Sequence, residues 1–107
     1  MDDEQIDIRA LLKTDFGVDL PIRGGSGNSI DNPVIIEKIA LNDYVGTEYA
    51  FLKYIGRGRR ISWKPIGNVL MTHNGRKIDK IRMQFLGMPA GQDKIENYYF
   101  DITECFG

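Results

Sequence analysis

The dipeptide Asn74-Gly75 constrains this chain more than any other feature. It separates two strand-like runs in ISWKPIGNVLMTHNGRKIDKIRMQFLG, residues 61–87, and Asn-Gly in that setting is the strongest short-range hairpin signal. A two-residue turn pairs His73 with Arg76, sets Ile81 beside Asn68 and Phe85 beside Lys64, and so mixes charged and apolar residues on one face. A three-residue turn with Gly75 left-handed, followed by a bulge, pairs Thr72 with Arg76 instead. Ile61, Trp63, Val69 and Met71 then share a face with Ile81, Met83 and Phe85. Because a one-residue slip turns every side chain over, the hydrophobic pattern selects the second register. Pro65 and Gly67 predict a further irregularity in the first strand.

A third run, IENYYFDITECF at residues 95–106, completes a meander. Tyr98, Phe100 and Ile102 alternate inward, and Asn97, Tyr99, Asp101 and Thr103 outward. Matching inward to inward places Asp101 beside Lys80 and Tyr99 beside Arg82. Upstream, Ile8, Leu11, Leu12 and Phe16 fall at helical spacing. Asp2, Asp3 and Glu4 suit the positive end of that helix, Lys13 the negative end, and Gly17 a stop. Residues 21–33, PIRGGSGNSIDNP, read as loop and VIIEKIAL at 34–41 as a strand. DYVGTEYAFLKYIG reads as a helix starting at Asp43 or Thr47 and ending at Gly56. Its apolar residues run nearly all round, with only Glu48 and Lys53 charged, so it is expected to be buried against the sheet. The expectation is one α+β domain over residues 1–107: a single, largely antiparallel sheet of about four strands with a C-terminal meander, packed against one or two helices. The strand at 34–41 pairs either in parallel with 60–72 through a right-handed crossover or elsewhere.

Several functions are disfavoured by what the chain contains. Its one cysteine, Cys105, forms no internal disulfide and suits a reducing compartment. The acidic start MDDEQIDIRALL has no long apolar region, and no run approaches the roughly 18 apolar residues of a membrane span. A cytoplasmic protein without membrane attachment is expected. One histidine and one cysteine cannot build a four-ligand Cys/His zinc site, and no calcium loop is present. RGGSGNS precedes a strand rather than a helix and so lacks the context of a phosphate cradle, and GRGRR, leaving a helix and entering a strand, has the same defect. No metal or cofactor is expected. Extending the strand register sets Cys105 across from Arg76 with His73 at the same end of the sheet, which on paper permits a Cys–His nucleophile in a hydrolase or transferase.

The charge distribution is the remaining signal. Residues 53–82 hold nine cations against Asp79 alone, while the rest of the chain holds five cations and fourteen carboxylates. On the expected hairpin the outward face shows Arg60, Lys64, Arg76, Lys80 and Arg82, with Ile66, Leu70 and Ile78 among them. Three readings compete: the acidic N-terminal helix covers the face with Ile8, Leu11 and Leu12 on that trio, a protein docks there, or nucleic acid does. An apolar cluster flanked by charge favours a protein contact. A slightly acidic domain with Trp63 turned inward disfavours nucleic acid. With no assembled catalytic set, the chain reads as a binder rather than an enzyme. The leading expectation is an interaction module that meets an acidic protein partner through Arg57, Arg59 and Arg60 in a 57–60 loop together with the hairpin face. An inhibitory, toxin-neutralising or regulatory role fits such a module.

Overall fold

The computed structural model describes residues 7–40 and 43–106. In chain order the elements are α1 (Ile8–Phe16), β1 (Ile22–Gly24), β2 (Val34–Ile36), α2 (Tyr44–Arg59), β3 (Trp63–His73), β4 (Arg76–Phe85) and β5 (Ile95–Asp101). Short 3-10 turns occupy Lys38–Ala40 and Thr103–Cys105. The strands form one sheet in the order β1-β2-β5-β4-β3, antiparallel except where β2 runs parallel to β5. The class is α+β as expected, with five strands rather than about four. Among the described residues no helix is long and apolar enough to cross a membrane.

The hairpin corrects the expected register. Asn74 and Gly75 have φ of 52° and 76°, both left-handed, as a type I′ turn requires, and His73 pairs with Arg76. Asn and Gly enter this region at least cost, and the twist of that turn matches the twist of the strands. Local turn chemistry therefore overrides the hydrophobic pattern beside the turn, where Asn68 faces Ile81 and Leu70 faces Asp79. Farther along, the pattern prevails. The irregularity expected at Pro65 and Gly67 is a bulge at Ile66 that shifts the register, so that Trp63 pairs with Phe85 and Pro65 with Met83. Trp63 reaches the core face as expected. Val69 and Met71 do not, for they lie on the other face with Lys80 and Ile78.

Between β4 and β5 the inward set is as expected, with Tyr98 and Phe100 buried. The register differs: Asp101 pairs with Ile78, Tyr99 with Lys80 and Asn97 with Arg82. A displacement of two residues keeps every inward side chain inward, so alternation alone cannot distinguish the two registers.

The helix α2 runs past Gly56 to Arg59, and Arg60 caps it with φ 59°. The segment 57–60 is thus the last helical turn rather than a loop. Its cations lie at the negative end of the helix dipole, and Gly56 is kept small by a close neighbour, because a Cβ there would lie 2.6 Å from Trp63 Nε1. That indole nitrogen donates to the Leu52 carbonyl at 3.2 Å. Phe51 and Leu52 lie under the helix in a core with Ile22, Val34, Ile36, Ile81, Met83 and Phe100. Burial of each such side chain contributes about 2–3 kcal/mol.

Helix α1 joins the same core. Asp7 accepts from the Ala10 N–H at 3.1 Å, Gly17 ends the helix with φ 70°, and Phe16 packs on Tyr54 with ring centroids 5.2 Å apart. Ile8 and Leu12 are buried with Phe51 and Leu52. The expectation that α1 covers Ile66, Leu70 and Ile78 is therefore overturned. Asp2, Asp3 and Glu4 lie outside the described residues. The strand expected at 34–41 is only Val34–Ile36, and it pairs in parallel with β5, not with 60–72. α2 is about 24 Å long at 1.5 Å per residue, enough to carry the chain across the sheet from β2 to the far edge at β3. The loop expected at 21–33 contains β1, and Gly27 within it accepts from the Tyr99 N–H at 2.7 Å, lining the open side of β5.

Candidate interaction surface

The cations singled out in the sequence fall into two groups. Arg59 and Arg76 are held within the fold. Arg59 donates to both carboxylate oxygens of Glu96, at 2.5 and 3.1 Å, and to the Tyr98 hydroxyl at 3.1 Å. It also lies over the rings of Trp63 and Phe85. The Glu96 hydrogen bond raises the Arg59 pKa further above its ordinary value, and the same bond holds the Glu96 carboxyl below the usual carboxylate range. Arg76 Nε donates to Asp101 at 2.7 Å, while Asp101 also accepts from the Thr103 N–H at 3.0 Å. Burial pushes the Asp101 carboxyl up, but these hydrogen bonds outweigh it and leave it below its ordinary value. Charge-assisted bonds of this kind are the strong ones, so both arginines are already tied to carboxylates of their own fold.

Arg57, Arg60, Lys64, Lys80 and Arg82 form the second group. Among the described residues none of them has a carboxylate within 4.0 Å, and neither do Lys53 and Lys77. Lys64, Lys80 and Arg82 share the face of the β3–β4 ribbon that points away from α2, with Val69, Met71 and Tyr99 between them. Lys80 Nζ stands 6.0 Å over the Tyr99 ring. Arg57 and Arg60 lie at the helix end on the other side. There Lys53, Arg57, Tyr49, Trp63 and Pro65 line an open cleft of about 330 Å³ between α2 and the start of β3. The unpaired cations thus flank β3 on both faces.

The apolar trio does not stay together. Ile78 is buried, sharing a pocket of about 290 Å³ with Ile30, Pro33 and Ile35. Leu70 is exposed on the α2 side of the ribbon, and Ile66 is the exposed bulge residue. What β3 offers instead is exposed apolar side chains along its length, on both faces: Ile66 at the bulge, Val69 away from α2 and Leu70 on the α2 side.

Cys105 and His73 are not brought together. The Cys105 thiol is buried, donating to the carbonyls of Ile36 and Glu37 at 3.8 Å. Burial, and then the charges of Glu104 and Glu48, push its pKa up, the opposite of an activated thiol. His73 Nε2 lies 3.1 Å from Asp31 Oδ1 on the far face of the sheet. Among the described residues no group of three His, Cys, Asp or Glu side chains is arranged to hold a metal ion.

One pair of ionisable residues was missed in the sequence. Glu48 of α2 and Asp79 of β4 are both buried, and Asn68 Nδ2 donates to Asp79 at 3.2 Å. Burial, then a hydrogen bond to Asp79 and its charge, push the Glu48 carboxyl up to about 10. Glu48 Oε2 has no hydrogen-bond partner among the described residues, and keeping its proton is what allows this carboxyl to stay buried beside Asp79. Burial and the charges of Glu48, Asp79 and Cys105 raise the nearby Tyr44 phenol. The signal was there: Glu48 is a lone carboxylate in a helix that is apolar nearly all round, and Asp79 is the lone carboxylate in residues 53–82. No family model matches the chain, and neither does any curated protein or solved structure.

Proposed function

We propose that this protein is an interaction module that binds an acidic protein partner along the β3 side of its sheet. The observation that supports this most directly is the sorting of its cations. Arg59 and Arg76 are consumed by Glu96 and Asp101, whereas Lys64, Lys80 and Arg82 on one face, and Lys53 and Arg57 at the cleft, have no carboxylate in reach among the described residues. Unneutralised charge beside exposed apolar side chains is the composition of a surface that steers a partner by field and holds it by burial. The α2–β3 cleft offers Trp63 and Pro65 to an apolar anchor, and the ribbon face offers three cations to its acidic neighbours. Nucleic acid is the competing ligand, favoured by Lys80 over Tyr99.

Affinity capture from nuclease-treated native lysate separates the two. The protein and a Lys64→Glu/Lys80→Glu/Arg82→Glu variant are used as baits. A protein captured by the native bait after nuclease treatment and lost by the variant supports the proposal. Equal capture by both baits refutes it. Capture that vanishes with nuclease, together with salt-sensitive binding of labelled oligonucleotides, assigns the surface to nucleic acid.

A further inference from the structure

The strand β3 is the longest in the sheet and forms its edge. From Pro65 to Thr72 it carries no charge, and Ile66, Val69 and Leu70 are 41%, 50% and 53% exposed. Edge strands of monomeric proteins are ordinarily kept short, charged or covered, because their open N–H and C=O groups template further pairing. Here the stretch is long, uncharged and apolar. The ladder also decides which main-chain groups are open. His73 and Arg76 close a two-residue hairpin and so exchange hydrogen bonds, and the alternate pairs Met71–Ile78 and Val69–Lys80 do the same. The main-chain groups of Asn68, Leu70 and Thr72 therefore point away from β4, toward the open edge.

We infer that β3 pairs antiparallel with β3 of a second copy of this chain, about a two-fold axis at Leu70. In that register Leu70 meets Leu70 of the second copy, Val69 meets Met71, and Asn68 meets Thr72, so about six outward main-chain hydrogen bonds form. Centring the axis on Val69 instead sets Leu70 against Asn68 and Met71 against Gly67, which leaves the apolar side chains unmatched. The pairing is self-tolerant because no charge lies between Pro65 and Thr72. His73 faces Gly67, and Lys64 lies beyond the bulge. An acidic partner, by contrast, is drawn to the cations that flank this stretch on both faces, so the edge and the faces suit different occupants.

The geometry also sets where pairing stops. Pro65 lacks an N–H and the Ile66 bulge breaks the ladder at one end, while the Asn74-Gly75 turn ends it at the other. A two-fold interface of this kind is isologous and closes on itself. At the far side of the sheet, β1 is only three residues long, too short to carry the assembly onward.

Sedimentation equilibrium at micromolar concentration tests the inference. The native chain is expected at twice its monomer mass, with a melting temperature that rises with concentration. Leu70→Lys, which sets two ammonium groups together on the axis, is expected at the monomer mass, still folded by circular dichroism and melting at a temperature independent of concentration. Cross-linking tests the register. Leu70→Cys places two thiols on residues about 5.5 Å apart, within disulfide reach, whereas Asn68→Cys places them several residues apart. Oxidation should therefore convert the first variant to covalent dimer at least tenfold faster than the second, and the buried Cys105 does not interfere. A native chain that stays monomeric throughout the micromolar range overturns the inference, as does cross-linking of Asn68→Cys at the rate of Leu70→Cys. Neither result bears on capture of an acidic partner, which the Lys64, Lys80 and Arg82 reversals address separately.

Discussion

Replacing Glu48 with glutamine should remove most of a falling pH dependence of stability. Glu48 is 1% exposed, and its carboxyl is pushed from an ordinary 4.5 to about 10 by burial and by Asp79. A folded-state pKa above the unfolded one means that folding retains a proton which unfolding releases. The contribution of Glu48 is therefore complete below pH 4.5 and declines as pH rises toward the folded value. The slope is up to about 1.4 kcal/mol per pH unit, so by pH 7 about 3 kcal/mol is lost relative to acid. That is a large part of the roughly 5–15 kcal/mol that a domain has in total. The glutamine side chain keeps the shape, donates an N–H to Asp79, and does not titrate. The other ionisable groups around the pair, Tyr44 and Cys105, are both pushed upward by burial, so they add no titration of their own near neutrality. Urea unfolding of both proteins from pH 5 to pH 8, with linear extrapolation, should show the stability difference growing in favour of Glu48→Gln by about 4 kcal/mol. Parallel stability curves across that range would refute a protonated Glu48 at the α2–β4 contact.

Two further predictions concern the helix end and the thiol. Gly56→Ala should destabilise by about 1–2 kcal/mol despite its gain in helix propensity, because the new methyl displaces the Trp63 indole from Leu52. Gly58→Ala, whose nearest neighbour would be Phe16 at 3.7 Å, should stabilise by about 0.5 kcal/mol. Thermal melts of the two variants check the pair, and equal effects would remove the close packing of Trp63 on Gly56. The Cys105 thiol, buried and bonded to two carbonyls, should react with a disulfide reagent at least tenfold more slowly in the folded chain than in denaturant. A folded-state rate matching or exceeding the denatured one would reopen a nucleophilic role.

The turn at Asn74-Gly75, the N-terminal helix stop at Gly17, the inward alternation of Tyr98 and Phe100, and the α+β class were all legible without coordinates. Each rests on local chemistry: a left-handed φ that few residues accept, or a side-chain period set by the backbone itself. The register across β4 and β5 was not legible, since a two-residue displacement preserves the pattern. Nor was the place of β2, because a three-residue strand carries too little pattern to name its neighbour. The length of α2 misled for a different reason. Gly56 and Gly58 mark a break by propensity, yet Trp63 packing on Gly56 and cations at the negative helix end carry the helix on to Arg59.

The candidate surface divides in the same way. The basic character of residues 53–82 was written in composition, but composition cannot say which cations are consumed. Only the tertiary structure brings Glu96 to Arg59 and Asp101 to Arg76 across long separations, and it turns Leu70 and Ile78 to opposite faces through the type I′ turn. Sequence determined the elements and the charge available to this protein. Pairing in space decided which charges remain to meet a partner and which edge remains to meet a second copy.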